Sequence, residues 1–104
     1  MQEPKLIVLD EPTSALDFGN QMRVLKLIKQ LSAEGYAILL TTHNPDHCIM
    51  LGGDVAILDK NGHLDYGSHT DILTEKRLSE AYDTELKLIY SAEINRKICV
   101  PTQM

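Results

Sequence analysis

The chain has 104 residues, room for one domain and no more, and its 43% hydrophobic and 24% charged content belongs to the soluble globular class. A formal net charge of −5 argues against nucleic acid as the main partner. No run approaches the roughly 18 apolar residues a membrane helix needs, so the chain is not expected to span a membrane itself. Gln2, Glu3, Pro4 and Lys5 lead directly into the first apolar run, with Pro4 favouring an extended lead-in and no signal peptide in view. Cys48 and Cys99 are far apart and form no metal-spaced pair, which predicts reduced cytosolic thiols.

The first element is Leu6–Leu9, four apolar residues that run unbroken into Asp10, Glu11 and Pro12. A short run, β-branched at its centre and closed by turn chemistry, predicts a strand buried on both faces. Pro12 to Gly19 is expected to be a loop of small and polar residues. A helix should follow from about Asn20 to Ala33, with Val24, Ile28 and Leu31 along its apolar stripe and Gly35 as its C-terminal cap. Tyr36–Thr42 is the second strand. Strand, crossover helix and strand make a βαβ unit, so the two strands should be parallel. Asp10, Glu11 and His43 then leave the sheet at the same edge, where parallel sheets place their ligands.

Asn44 can cap a short helix that starts at Pro45 and runs to about Leu51, and Gly52-Gly53 breaks it. Asp54–Leu58 and His63–Tyr66 flank Asn61-Gly62, the strongest short hairpin signal. Ser68, with Asp71 three residues on, can cap one further short helix, and Thr74 another, whose apolar edge is Leu78, Ala81 and Tyr82. Leu86–Tyr90 and Ile98–Val100 read as late strands of a small hairpin. No internal repeat, linker or low-complexity segment interrupts the chain.

Two adjacent acids at a strand end repel one another unless a cation or polar partner offsets them, and a nucleotide-bound hydrated Mg2+ is the usual cation at such a site. Leu6 to Glu11 resembles the Walker B motif of the ATP-binding cassette (ABC) ATPases. Ser14-Ala15-Leu16-Asp17 is similar to the D-loop that follows it, and Thr41-Thr42-His43 to the H-loop, or switch histidine, after the next strand. Three elements in this order make the resemblance specific, and Gly67 through Tyr82 looks most like the cassettes of iron-siderophore and cobalamin importers.

The resemblance implies an α/β fold: part of a P-loop NTPase (RecA-like) parallel sheet with flanking helices and a C-terminal β-hairpin region. It implies ATP and Mg2+ as cofactors. Asp10 would hold the magnesium through water, and Glu11 would be the general base that polarises the attacking water. His43 would contact the γ-phosphate and help hold Glu11 and the water. Asp17, with Ser14 beside it, would lie at the interface between two cassettes. Taken singly, Asp10 and Glu11 could merely start a turn, and Asp17 could merely cap the following helix. His43 after the next parallel strand is what joins them into one site. His47 and Cys48 invite a metal reading, but a lone His–Cys pair on a short helix with no further ligand is more often incidental. His63 and His69 are expected on the surface. Tyr36, Tyr66, Tyr82 and Tyr90 are expected to pack rather than to stack on a base.

The chain contains no G-x-x-x-x-G-K-[ST] sequence, hence no P-loop, and it has neither the family's Gln-loop nor its Leu-Ser-Gly-Gly-Gln signature. The expectation is therefore the C-terminal part, residues 1–104, of a single ABC ATPase domain, inactive alone. Its parent would couple ATP hydrolysis to uptake through membrane permease subunits, in the cytoplasm at the membrane periphery. A non-catalytic module that binds a full cassette or permease, and a soluble ABC ATPase outside transport, are the alternatives. In the family the P-loop strand lies between the counterparts of Tyr36–Thr42 and Asp54–Leu58. Its absence predicts a slot between two apolar strands, closed by direct pairing or, preferentially, by a homodimer.

Overall fold

The computed structural model describes residues 5–102. The lead-in through Pro4 lies outside the described residues. The structure divides into two compact units, one ending at Asn44 and the other beginning at Pro45.

In the first unit, β1 (Leu6–Asp10) and β2 (Ala37–Thr41) pair in parallel, joined by the helix α1 (Phe18–Ala33). The register sets Leu6 opposite Ala37, Val8 opposite Leu39 and Asp10 opposite Thr41. The crossover predicted from the sequence is the one observed. α1 begins at Phe18 rather than Asn20, because Asp17 caps it: the Asp17 carboxylate accepts the Asn20 N–H at 2.8 Å. Phe18 and Gly19 are thus helical, not loop. At the other end Gly35 has φ +101°, its N–H bonds Ser32 O, and the Tyr36 N–H reaches back to Leu31 O. This Schellman motif uses the left-handed conformation that glycine adopts without a Cβ penalty, and it satisfies two orphan carbonyls of the helix end.

α1 packs on β2 and buries Leu25 and Ile28. Ile7, Leu9, Ile38 and Leu40 are half-buried, while Leu6 and Val8 are each 65% exposed and Leu39 is 60% exposed. The expectation that the first strand is buried on both faces is therefore corrected. Side chains alternate across a strand, and Leu6, Val8 and Leu39 share the exposed face among the described residues.

The second unit contains α2 (Pro45–Leu51), the hairpin β3 (Asp54–Leu58) and β4 (Leu64–Ser68), the short helices α3 (His69–Ile72) and α4 (Glu75–Tyr82), and the hairpin β5 (Leu86–Ser91) and β6 (Arg96–Pro101). Its core holds Ile72, Leu73 and Leu78, the last only 2% exposed. Ser68 and Thr74 cap α3 and α4 as their sequence positions predict. Side chains also tie helices to strands: Asp46 accepts the Cys99 N–H at 2.8 Å, and Glu75 accepts the Leu88 N–H at 2.8 Å. Among the described residues β2 pairs with β1 and β3 with β4. Tyr66 and Tyr90 are exposed rather than packed. Their hydroxyls bond Asp54 and Asn95 respectively, so the polar tip is satisfied while the ring meets solvent.

Candidate functional site

The ladder of β1 and β2 ends on the pair Asp10 and Thr41, whose side chains share one face. The Thr41 hydroxyl donates to Asp10 Oδ1 at 2.6 Å. That engages one of the two carboxylate oxygens. The Glu11 N–H is shared between two acceptors on the neighbouring strand, Thr41 O at 3.1 Å and Thr41 Oγ1 at 3.0 Å. Glu11 itself has φ +46°, in the left-handed region that a residue with a Cβ rarely adopts. Its carbonyl accepts the Ser14 N–H at 3.1 Å, which turns the chain through Pro12 and Thr13 into the loop.

The turn swings the Glu11 carboxylate toward the end of β2. There Glu11 Oε1 lies 2.9 Å from His43 Nε2, with the imidazole 87% exposed and the carboxylate 40% exposed. A carboxylate only accepts, so Nε2 carries the proton of this bond. The structure thus brings Asp10, Glu11 and His43 to one sheet edge. It does not bring Ser14 or Asp17 to them in the same way: Ser14 is exposed on the loop, and the Asp17 carboxylate is turned to the N-terminus of α1. Thr41 is the residue to which sequence reasoning, though it counted it in the H-loop match, gave no role. Its signal was present in the sequence, a hydroxyl at the last strand position before the histidine loop.

His47 and Cys48 lie in the second unit. His47 is buried, and burial lowers its pKa from the usual imidazole value, partly opposed by the Asp46 charge. Burial also pushes the Cys48 and Cys99 thiols up, which keeps them protonated and poor as ligands. Among the described residues no group of three or more His, Cys, Asp and Glu is placed to hold a metal alone. Asp10 is a different kind of candidate, since Mg2+ is commonly held by one or two carboxylates together with substrate phosphates. The donor set fits that role: one carboxylate oxygen fixed by a hydroxyl, the other open, a second carboxylate next in sequence. No sequence here fits the phosphate-cradling loop that would complete a nucleotide site.

Residues 1–46 match the family model described as "AAA domain, putative AbiEii toxin, Type IV TA system". An uncharacterized ABC transporter ATP-binding protein of Haemophilus influenzae is 42% identical over 89 residues, 86% of this chain and 34% of that protein. The hemin import ATP-binding protein HmuV of Thermobifida fusca is 29% identical over 98% of this chain and 36% of its own length. A solved structure described as "An inward-facing conformation of a putative metal-chelate type ABC transporter" superposes with a TM-score of 0.84 at 30% identity, covering 95% of this chain and 41% of that one. The chain spans about a third of the length of the curated relatives it matches. Among the described residues no helix is long and apolar enough to cross a membrane. In sequence and in fold, this chain belongs with the ATP-binding proteins of ABC transporters and corresponds to part of their nucleotide-binding domain.

Proposed function

We propose that the chain supplies the water-activating part of the ATP site in an ABC importer. The observation that carries this reading is the Glu11–His43 pair at 2.9 Å beside Asp10, on adjoining parallel strand ends. ATP hydrolysis asks little covalent chemistry of a protein; it asks for placement of the metal, of the water and of compensating charge. Asp10 Oδ2 is available to bind the hydration shell of Mg2+, which when bound would neutralise charge on the phosphates. Glu11 is the general base for the attacking water. His43 holds the Glu11 carboxylate, and its exposed ring would contact the γ-phosphate of a bound nucleotide. Asp17 and Ser14 sit on the loop that would face a second cassette, while Asp17 also caps α1.

The whole subunit would act in the cytoplasm on the membrane periphery, with permease subunits as partners. Relatives named for import of hemin, vitamin B12 and iron(3+)-hydroxamate support a metal-chelate or cobalamin cargo. Without a P-loop the isolated chain is inactive. Residues 1–104 then act as the C-terminal part of one ABC ATPase domain. Its uncovered apolar sheet face suits a homodimer. The test is complementation. The chain mixed with a polypeptide that supplies a P-loop and a signature sequence should release phosphate from ATP in the presence of Mg2+. Glu11→Gln should abolish that release. Turnover that survives Glu11→Gln would remove the general-base assignment and with it this reading of the site.

A further inference from the structure

We propose that Thr41 is the positioning residue of the carboxylate pair: its one hydroxyl fixes the Asp10 side chain and clamps the Glu11 backbone, so that the Glu11 carboxylate is held against His43. The proposal rests on the reading of Asp10, Glu11 and His43 as the water-activating group.

The hydroxyl has one proton and two lone pairs, and both of its partners are fixed in kind. Asp10 can only accept, so the proton goes to Oδ1 at 2.6 Å. The Glu11 amide can only donate, so a lone pair faces it at 3.0 Å. The Thr41 rotor is therefore determined from both sides. A hydrogen bond to a carboxylate is also the stronger kind, which selects one Asp10 rotamer and leaves Oδ2 as the open oxygen.

The second half of the argument is backbone strain. A non-glycine residue at φ +46° costs about 1–3 kcal/mol and persists only where its surroundings over-determine it. Here the Glu11 N–H is held by both Thr41 acceptors, and its C=O accepts the Ser14 N–H. Thr41 thus restrains one side of the strained residue. Without the hydroxyl the Glu11 N–H keeps only the Thr41 C=O, a weaker restraint, so Glu11 would shift toward the ordinary strand region and its side chain away from His43. The same site offers Thr41 little stabilising role: Asp10 and Thr41 are exposed, and hydrogen bonds there compete with water.

Solution NMR on the 104-residue chain tests this, comparing Thr41→Val with Thr41→Ser, which keeps the hydroxyl. Thr41→Val should speed exchange of the Glu11 amide by roughly tenfold, the loss of about one hydrogen bond. It should also erase the proton–proton contact between the Glu11 and His43 side chains, while the amides of Val8 and Leu39 exchange as before. Thr41→Ser should preserve the contact and the slow exchange. Wild-type Glu11 exchange and an intact Glu11–His43 contact in Thr41→Val would overturn the proposal. So would an equal rise in exchange along both strands, which marks a purely structural role. Added Mn2+, as a stand-in for Mg2+, should broaden Asp10 in the wild type and several-fold less in Thr41→Val. If wild-type Asp10 is not broadened, the metal reading of the site fails, and exchange and the Glu11–His43 contact still decide the role of Thr41.

Discussion

Glu11 Oε1 and His43 Nε2 lie 2.9 Å apart at the ends of two different parallel strands. With the imidazole 87% exposed, such a pair adds little to stability, since solvent screens it and two side chains lose freedom to form it. Its persistence beside a strained Glu11 backbone is better accounted for by chemistry than by folding. In the complemented ATPase, Glu11→Gln should lower turnover by about 10²–10⁴-fold, the usual cost of losing a general base. His43→Ala should act in the same direction. ATP affinity, measured separately by equilibrium binding, should change far less in both. Near wild-type turnover in either variant would take that residue out of the proposed mechanism.

The purified chain alone should release no phosphate from ATP above background, because nothing in its sequence matches the loop that cradles the β- and γ-phosphates. The check is a phosphate-release assay with Mg2+, using Glu11→Gln as the blank. Steady release from the wild type that the blank lacks would mean that the 104 residues form a complete enzyme.

Asp17→Ala should destabilise the first unit by about 1 kcal/mol, because the N-cap bond to the Asn20 amide is lost. Asp17→Asn should recover most of that loss, since asparagine caps nearly as well. Urea midpoints of the three proteins provide the measurement. If Asn and Ala behave alike, capping is not what Asp17 contributes. Leu78→Ala is the contrasting substitution: at 2% exposure it should cost about 2–5 kcal/mol through lost burial and a residual cavity.

How much of this could be read from sequence depended on which physical signal was local. The parallel pairing of β1 and β2 followed from strand, helix, strand, and the hairpin of β3 and β4 from Asn61-Gly62, both short-range signals. The convergence of Asp10, Glu11 and His43 at one edge followed from topology alone. Three things were not read correctly or fully from the sequence. The start of α1 moved to Phe18 because capping by Asp17 outweighed the small, polar look of the preceding stretch. The exposure of Leu6, Val8 and Leu39 depends on what covers the sheet, which an apolar run in a sequence does not reveal. The double role of the Thr41 hydroxyl needed the register that sets it opposite Asp10, and register is a property of the pair of strands.

His47 gives the second unit a pH dependence whose sign can be worked out. Burial disfavours the imidazolium, so the folded-state pKa lies below the ordinary 6.5, although Asp46 opposes the shift. As pH falls through about 6.5 the unfolded chain binds the proton first, so it holds more protons than the native state. The contribution is therefore fully present above about pH 6.5 and is lost as pH falls toward and through the lowered folded value. Urea midpoints at about pH 7.5 and 5.5 should fall with acidity in the wild type, and less steeply in His47→Gln. An identical slope in the two proteins would assign the acid sensitivity to other groups.

The last prediction concerns the uncovered face of the β1–β2 sheet. Leu6 and Val8 on β1 and Leu39 on β2 stand side by side through the register, each 60–65% exposed. Neighbouring exposed apolar side chains make this face a candidate surface for association. Within the first unit β2 pairs with β1 alone among the described residues, and the other edge of such a strand is one that a further strand can join. A second copy offers the same residues about a two-fold axis, the commonest closed arrangement of identical chains. The formal charge of −5 per chain opposes association, so the dimer should tighten as salt screens it, the reverse of an association held by ion pairs. Light scattering at micromolar concentration should give the mass of two chains, rising toward that value as salt is added. Val8→Lys places a charge in the middle of the face and should shift the protein to monomer while leaving its far-ultraviolet circular dichroism unchanged. A wild type that stays monomeric across concentration and salt would show that this face does not pair copies of the chain. A dimer that Val8→Lys leaves intact would move the interface to another surface.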